Sequence, residues 1–433
     1  MGIITTVAAV WVVLSTSVIA YHPRLQAAHS SQSVSLRHQA WRGQLFSSRV
    51  APSQLSQPSA VAQWHTRRRQ RMLSSAYNTD SNIQAIKKLM TTKSSRICFP
   101  LLVFTNASLL GLAMAASTMS YFSIFSLAAT VGATLSLWQL QILHDACHHT
   151  LFSDPRLNDS VLFWGSMPSI FGYYLYLKRG HLTHHRNLGN VDGSKTLFDS
   201  DSVDFEDGDV LFTTHRQIIG DGDDGPVING HSLSVSKFFR GLWRRDSPVL
   251  NAMIFGFGFI LERFMLATND AVVALSGTNF FFPKKPREFH RDLAKNTRVQ
   301  LGLRAILVIF GGLKPLIFLL LSETLWSVPP HPLSAMFVSN HLSKESGPTQ
   351  STYAGGIYSL LTLGTNFHTE HHDFPTVPLT ELWRLRNLQP HKDTAIYRRE
   401  DDSDSIFEIL RDSFANPTVY SQLGGKVQRI EGH

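Results

Sequence analysis

Residues 98–149 read CFPLLVFTNASLLGLAMAASTMSYFSIFSLAATVGATLSLWQLQILHDACHH, and this stretch decides the fold. Its first 46 positions, 98–143, carry no charged side chain. One α-helix crosses a bilayer with about 20 apolar residues, so the run is long enough for two antiparallel spans. The run leads directly into a histidine cluster that begins at His144. The sequence therefore predicts an integral-membrane helical protein whose first hairpin brings histidines to a membrane surface.

A second apolar block, 299–328, is interrupted at 311–315 by GGLKP, which is typical of a tight reversal between two short helices. A third block, 249–282, contains three charged residues and precedes a basic cluster at 284–298, so the charge rule favours an interfacial or re-entrant helix there. We therefore expect an all-α membrane fold with about four transmembrane helices, capped by a helical domain. The side that begins the first hairpin is cytoplasm-like because it is flanked by Lys87, Lys88, Lys93 and Arg96.

The net charge of +8 is confined to the N-terminal region. Residues 21–79 contain eight arginines and no lysine or acidic residue, and the remaining 32 basic residues equal the 32 acidic ones. This distribution gives no indication of nucleic-acid binding. The two cysteines, Cys98 and Cys147, are too few for a disulfide framework.

The N-terminus has the composition of a targeting address. Residues 1–20 contain a short apolar run, 7–20, that resembles a signal peptide and ends in a small-residue cleavage site at Ala20. Residues 21–80 are rich in Ser and Arg, as transit peptides are, and are expected to be disordered. A signal-like segment followed by a transit-like segment resembles the bipartite plastid-targeting sequence of algae with secondary plastids. The alternative interpretation is a disordered basic tail behind a signal anchor. The membrane domain is expected at 81–400, followed by a tail at 401–433.

Nine of the 20 histidines fall in three short motifs: HDACHH at 144–149, HLTHH at 181–185 and HTEHH at 368–372. We call them boxes one, two and three. Residues three or four apart lie on one face of a helix, so each box directs two or three imidazoles the same way. An even number of spans separates boxes one and two from box three, which allows all three to meet at one membrane surface. A structural zinc needs four ligands, whereas eight or more imidazoles suit two metals with open positions.

At these residues the chain resembles the membrane fatty acid desaturase superfamily, and most of all its sphingolipid Δ4-desaturase branch. NFHTEHHDFP at 366–375 is similar to that branch's GYHNEHHDFP, and HHRNLG at 184–189 is similar to its DHHRYLG. The stretch from His331 to His341 resembles its HPI…FI..H segment. The likeness runs from about residue 98 to 395.

The resemblance implies a di-iron centre, with O2 as oxidant and electrons from an external donor. The ligands it implies are His144, His148, His181, His184, His185, His341, His368, His371 and His372. His149 stands where the branch has Asn, so it is interpreted as an additional group near the metals. His331 either supports the metal site or has a packing role. Asp145 and Glu370 either orient imidazoles or are solvated acids on a helix face.

Two departures from the branch concern substrate and electron supply. Lys195 lies in the segment 189–196, where the branch is acidic, which argues against a ceramide-type headgroup. No HPGG haem motif occurs, so cytochrome b5 or, in a plastid, ferredoxin is expected as a separate donor. Membrane location is accordingly expected in the endoplasmic reticulum or in a plastid envelope or thylakoid.

The function implied is the O2-dependent introduction of a C=C bond into a long acyl or sphingoid chain. Removing hydrogen from an unactivated methylene requires a metal-based oxidant, and the protein contributes its positioning. Carotenoid ketolases and hydroxylases and lipid hydroxylases share similar boxes and are alternatives. A metal-binding membrane protein or an inactive desaturase homologue is the non-enzymatic alternative.

Overall fold

The first predicted hairpin forms two long helices. The computed structural model describes residues 60–170, 176–187, 271–272, 274–276, 287–328, 330–340, 349–388, 396–397 and 403–415, and within these ranges it contains helices and no strand. Two helical stretches in this part of the chain, Asp80–Ala116 and Tyr121–Cys147, are long and apolar enough to cross a membrane. The two apolar helices predicted from residues 98–143 are therefore confirmed, and their crossing of a membrane stays a prediction.

The helices in chain order are α1 to α14. Their bounds are α1 Ala60–Met72, α2 Asp80–Thr91, α3 Ser95–Ala116, α4 Tyr121–Leu127, α5 Ala133–Cys147, α6 Pro155–Gly165, α7 Leu182–Asn187, α8 Arg287–Gly311, α9 Lys314–Leu325, α10 Ser334–Ser339, α11 Gly356–Leu361, α12 His368–Asp373, α13 Leu382–Asn387 and α14 Ile406–Ala415. A π-helical turn, Ala128–Gly132, joins α4 to α5, and a second one, Tyr176–His181, leads into α7.

Polar side chains cap the N-termini of α4 and α6. The Ser120 hydroxyl accepts from the Ser123 N–H (3.1 Å) and begins α4 after the turn at 117–120. The Asp154 carboxylate accepts from the Arg156 N–H (2.9 Å), and Pro155 occupies the first position of α6, where its missing N–H costs nothing.

The second apolar block forms the predicted helical hairpin of α8 and α9. Gly312 lies between them with φ +70°, a left-handed conformation that suits glycine. The Lys314 ammonium donates to the Met119 carbonyl at 2.7 Å, so this turn meets the turn between α3 and α4. However, α8 begins at Arg287 within the basic cluster, and α9 has only 12 residues. The count of four spans therefore remains a prediction.

The structure describes helices in two segments outside the predicted 81–400 domain. Residues 60–79, assigned to a disordered segment ending at 80, include α1, whose Met72 is fully buried against Phe374 and Leu382. The tail expected from residue 401 includes α14, whose Ile409 and Leu410 pack against Ala335. Both segments are ordered by apolar contacts with distant residues, which local composition does not reveal. Most of the predicted interfacial block at 249–282, the segment 189–196 and residues 1–59 lie outside the described residues.

Candidate metal centre

Each histidine box lies at the end of a helix or in a short helical segment. His144 is in the last turn of α5, and His148 is its C-cap residue. Box two spans the second π-helical turn and the start of α7, and box three lies within α12. The imidazoles of boxes two and three are buried apart from the partly exposed His185.

Burial is the main reason why the pKa is well below its usual value at His148, His181, His185, His368, His371 and His372. These rings are therefore neutral at neutral pH, which is the form that binds metals.

Eight of the nine predicted ligands converge in two groups. In each group the candidate ligand atoms all lie within 4.8 Å of one another. We call these groups site A and site B. Site A consists of His144, His148, His181, His185 and His371, and site B consists of His184, His368 and His372. The ninth predicted ligand, His341, lies outside the described residues.

The nitrogen spacing in site A fits a metal ion. His181 Nε2 lies 3.0 Å from His148 Nε2 and 2.8 Å from His185 Nε2, and His185 Nε2 lies 2.9 Å from His371 Nε2. Two nitrogens bound at about 2.1 Å to one ion, at a right angle, are about 3.0 Å apart. A chain of neutral imidazoles can satisfy only some of these contacts by hydrogen bonds, whereas a central cation satisfies all of them.

Sites A and B adjoin each other. The His185 ring of site A stacks on the His372 ring of site B, with centroids 4.1 Å apart. His371 and His372 are neighbours in sequence and belong to different sites. The donor set consists entirely of imidazoles, which suit iron, zinc and copper. The arrangement can hold two metal ions close together.

Asp145 and Glu370 are not solvated acids on a helix face, which was one of the two predicted readings. Both are buried. Asp145 accepts hydrogen bonds from the Ser94 hydroxyl (2.9 Å) and the Leu379 N–H (3.1 Å). Glu370 accepts from the hydroxyls of Tyr353 and Ser351, both at 2.5 Å, and burial raises its pKa although these bonds oppose the shift. The two carboxylates therefore join the box helices to neighbouring segments.

The other two described histidines that the sequence singled out, His149 and His331, belong to neither site. His331 accepts the Leu333 N–H through Nδ1 and donates from Nε2 to the Ala129 carbonyl (2.9 Å), contacts that are consistent with the packing role. His149, half-buried with φ +57°, belongs to neither site, and its carbonyl accepts from the Lys93 ammonium.

Sequence reasoning missed three residues beside site B. The Asp373 carboxylate accepts from His65 Nδ1 at 2.6 Å and from Arg68 Nε at 3.0 Å. Burial alone would raise the pKa of Asp373, but Arg68 and His65 outweigh it and hold the pKa below its usual value. The His65 ring lies 5.2 Å from that of His372. The only local signal was the spacing of His65 and Arg68, which are three residues apart and therefore share one face of a helix. They lie in the segment that was predicted to be disordered from its composition.

An apolar cavity of about 910 Å³ lies among α3, the α4–α5 segment and residues 331–333. The Trp138 indole, six residues before His144 on α5, lines it and donates to the Leu361 carbonyl at 3.0 Å. Other lining residues are Phe104, Leu112, Val131, Thr134 and Leu333.

The family model for fatty acid desaturases matches residues 212–398, a region that includes box three. The chain is therefore similar to the fatty acid desaturases over this region, which is less than half of its length. No solved structure matches it.

Curated proteins that the chain resembles include several sphingolipid desaturases. A sphingolipid delta(4)-desaturase/C4-monooxygenase of Bos taurus is 26% identical over 277 residues, which cover 62% of this chain and 66% of the relative. A sphingolipid delta(4)-desaturase-like protein of Oryza sativa subsp. japonica is 26% identical over 299 residues, or 69% and 74% of the two chains. A putative sphingolipid delta(4)-desaturase/C4-monooxygenase of Caenorhabditis elegans is 25% identical over 289 residues, which cover 66% of this chain and 63% of that protein. The matches with the nematode and cattle proteins thus span slightly less than two thirds of their lengths.

Proposed function

We propose that this chain is an O2-dependent lipid desaturase that introduces a C=C bond into a long acyl or sphingoid chain. The observation that carries the proposal is the pair of adjoining all-imidazole sites A and B at the end of an apolar helical hairpin. The similarity to the fatty acid desaturases and the names of the relatives support the same activity.

Two iron ions in sites A and B would supply the oxidising power needed to remove hydrogen from an unactivated methylene. The reaction balances when one –CH2–CH2– unit, O2, two electrons and two protons give one –CH=CH– unit and two water molecules. The ligands would be the eight converging histidines with His341, a set proposed from the family resemblance.

The protein would select the carbon pair by position. Neighbouring methylenes are almost alike chemically, so the choice depends on holding one pair near the metals. The cavity lined by Trp138 and Val131 offers an apolar surface on which a lipid chain can lie while its headgroup stays at the membrane surface. Buried boxes limit the access of water to the reacting carbons.

A separate protein would deliver the electrons. Cytochrome b5 is the expected donor if the protein resides in the endoplasmic reticulum, and ferredoxin is expected in a plastid. Reconstitution of the purified protein with each donor in turn distinguishes these two possibilities.

Lipid analysis of a yeast lacking its own Δ4-desaturase tests the function directly. Expression of the chain should produce a new lipid two mass units below its precursor, and the His185→Ala variant should produce none. Unchanged lipids together with keto- or hydroxy-carotenoids in β-carotene-producing cells would reject the desaturase in favour of the carotenoid alternative.

Lipid hydroxylation is the second candidate, because the cattle relative is named a desaturase and a C4-monooxygenase. The same lipid profiles distinguish the two activities. A product sixteen mass units heavier than the precursor, in place of the lighter one, would identify the chain as a hydroxylase.

A further inference from the structure

Site B has fewer ligands than site A among the described residues. Site A contains five imidazoles and site B contains three. Three nitrogens leave a first-row metal with several positions to be filled by other groups. A side chain that fills or supports one of these positions should lie beside His184, His368 and His372.

His65 of α1 lies in that position. Its ring is 5.2 Å from the His372 ring, and its side chain is buried, with 5% of the residue exposed. His65 belongs to none of the three boxes and comes from a helix more than 300 residues away in sequence from Asp373, its hydrogen-bond partner.

The tautomer of His65 follows from its hydrogen bond. A carboxylate is an acceptor, so Asp373 requires the proton on His65 Nδ1. In the neutral ring this leaves the Nε2 lone pair free, and Nε2 is a buried atom with no hydrogen-bond partner. A histidine whose other nitrogen donates to a carboxylate is the usual arrangement beside a protein-bound metal.

Arg68 holds this arrangement in place. Its guanidinium donates to the second Asp373 oxygen at 3.0 Å and to the Ile396 carbonyl at 2.7 Å. Both Asp373 oxygens are thus occupied by α1, and the His65 ring is fixed from one side while Nε2 remains available.

We propose that His65 stabilises the metal of site B through Nε2, so that α1 is part of the metal centre. The inference rests on the proposed di-iron function. The ligand atoms of His65 lie outside the set of three that are within 4.8 Å of one another. Its loss is therefore expected to weaken metal binding about 10- to 100-fold, as loss of supporting groups does, whereas loss of His184 would empty the site.

The decisive variant is His65→Asn. An asparagine amide can retain the hydrogen bond to Asp373, because its nitrogen lies near the former Nδ1, but it has no group at the position of Nε2. The detergent-purified full chain is loaded with Fe²⁺ and dialysed against graded chelator, and the iron per chain is measured. Trypsin cleavage at the arginines of α1 reports whether this helix stays docked.

The wild-type protein should retain close to two irons, whereas His65→Asn should release one of them at a 10- to 100-fold lower chelator concentration with α1 still protected from trypsin. His65→Gln, whose amide reaches the former Nε2 position, should recover part of the affinity. His149→Asn, a histidine outside both sites, serves as the matched control and should behave as the wild type.

Two results would overturn the inference while leaving the function intact. One is a His65→Asn protein that keeps both irons as tightly as the wild type. The other is iron loss that occurs only together with trypsin cleavage of α1, for both the Asn and the Gln variants, which would identify His65 as a docking residue. A wild-type protein that binds no iron would instead contradict the proposed function.

Discussion

At the scale of single residues, neighbouring histidines of one box serve different sites. In box three, His371 belongs to site A, whereas His368 and His372 belong to site B. Successive residues of a helix point about 100° apart, so one short helix can face two metals at once. Box two divides in the same way, with His184 separate from His181 and His185. The boxes are thus shared between the sites.

This division predicts which metal each variant loses. His185→Ala and His371→Ala should abolish turnover, because each removes one of the five imidazoles of site A, and should weaken iron binding in site A while site B keeps its three imidazoles. His184→Ala should leave one iron in site A. Iron content and membrane insertion of each purified variant provide the measurement, with His149→Asn as the control that should keep two irons. Zinc as the only bound metal, or full activity in both site A variants, would contradict the assignment.

At the scale of helices, close approach determines how the hairpins pack. A Cβ atom at Gly132, in the π-helical turn before α5, would lie 2.2 Å from Ser322 Oγ and 3.2 Å from Phe318 Cζ of α9. Glycine therefore permits contact between the two hairpins at this point. Because α5 ends in box one, this contact also positions His144 and His148 relative to the rest of the fold.

Gly132→Val should therefore destabilise the protein by about 1–3 kcal/mol, the usual cost of overpacking. The matched control is Gly302→Val in α8, because a Cβ atom at Gly302 has no neighbour within 4 Å. Thermal unfolding in detergent should show a lower Tm for the first variant and a nearly unchanged Tm for the second. Equal Tm values for the two variants would show that the hairpins are not in close contact.

At the scale of the whole molecule, the two hairpins share one end. The turn after α3 and the turn before α9 are joined by the hydrogen bond from Lys314 to Met119, and the Lys314 ammonium lies 5.4 Å from the centre of the Tyr121 ring. Box one lies at the other end of the first hairpin, at the C-terminus of α5. If both hairpins cross the bilayer, the two turns lie on one side and the metal centre on the other.

Insertion of glycosylation acceptor sites in flexible Gly/Ser segments tests the four spans. Acceptors placed at Met119 and after Gly312 should both be modified in microsomes, because both turns are expected on the lumenal side. An acceptor after His433 should remain unmodified. Modification at Met119 without modification at Gly312 would show that α8 and α9 do not cross the membrane and would reduce the count to two.

The predicted targeting sequence is expected to lie within residues 1–59, because the first described helix begins at Ala60. A fluorescent reporter fused to residues 1–59 should reach the plastid of a secondary-plastid alga and be cleaved near Ala20. The physical reason is the short apolar run followed by an acid-free segment containing arginine. Uncleaved reporter in the endoplasmic reticulum would contradict the plastid assignment and favour cytochrome b5 as donor.

The sequence by itself determined the elements and residues whose signals are local. An uncharged run of 46 residues specifies two apolar helices, and the GGLKP motif specifies a reversal. The spacing of histidines in each box specifies which imidazoles share a helix face. Eight of the proposed ligands could therefore be named in advance, and the resemblance to the desaturases rested on the same motifs.

Only the tertiary structure decided how the boxes divide into two sites and which distant residues support them. His65 and Asp373 are 308 positions apart, and no local pattern encodes a contact at that separation. Composition even favoured disorder for α1, because a short arginine-rich helix gains its stability from packing and from the buried Asp373 carboxylate. The contacts of Asp145 and Glu370 were likewise visible only in the tertiary structure. Because both carboxylates are buried, they accept hydrogen bonds from the hydroxyls of Ser94 and Tyr353 and not from water.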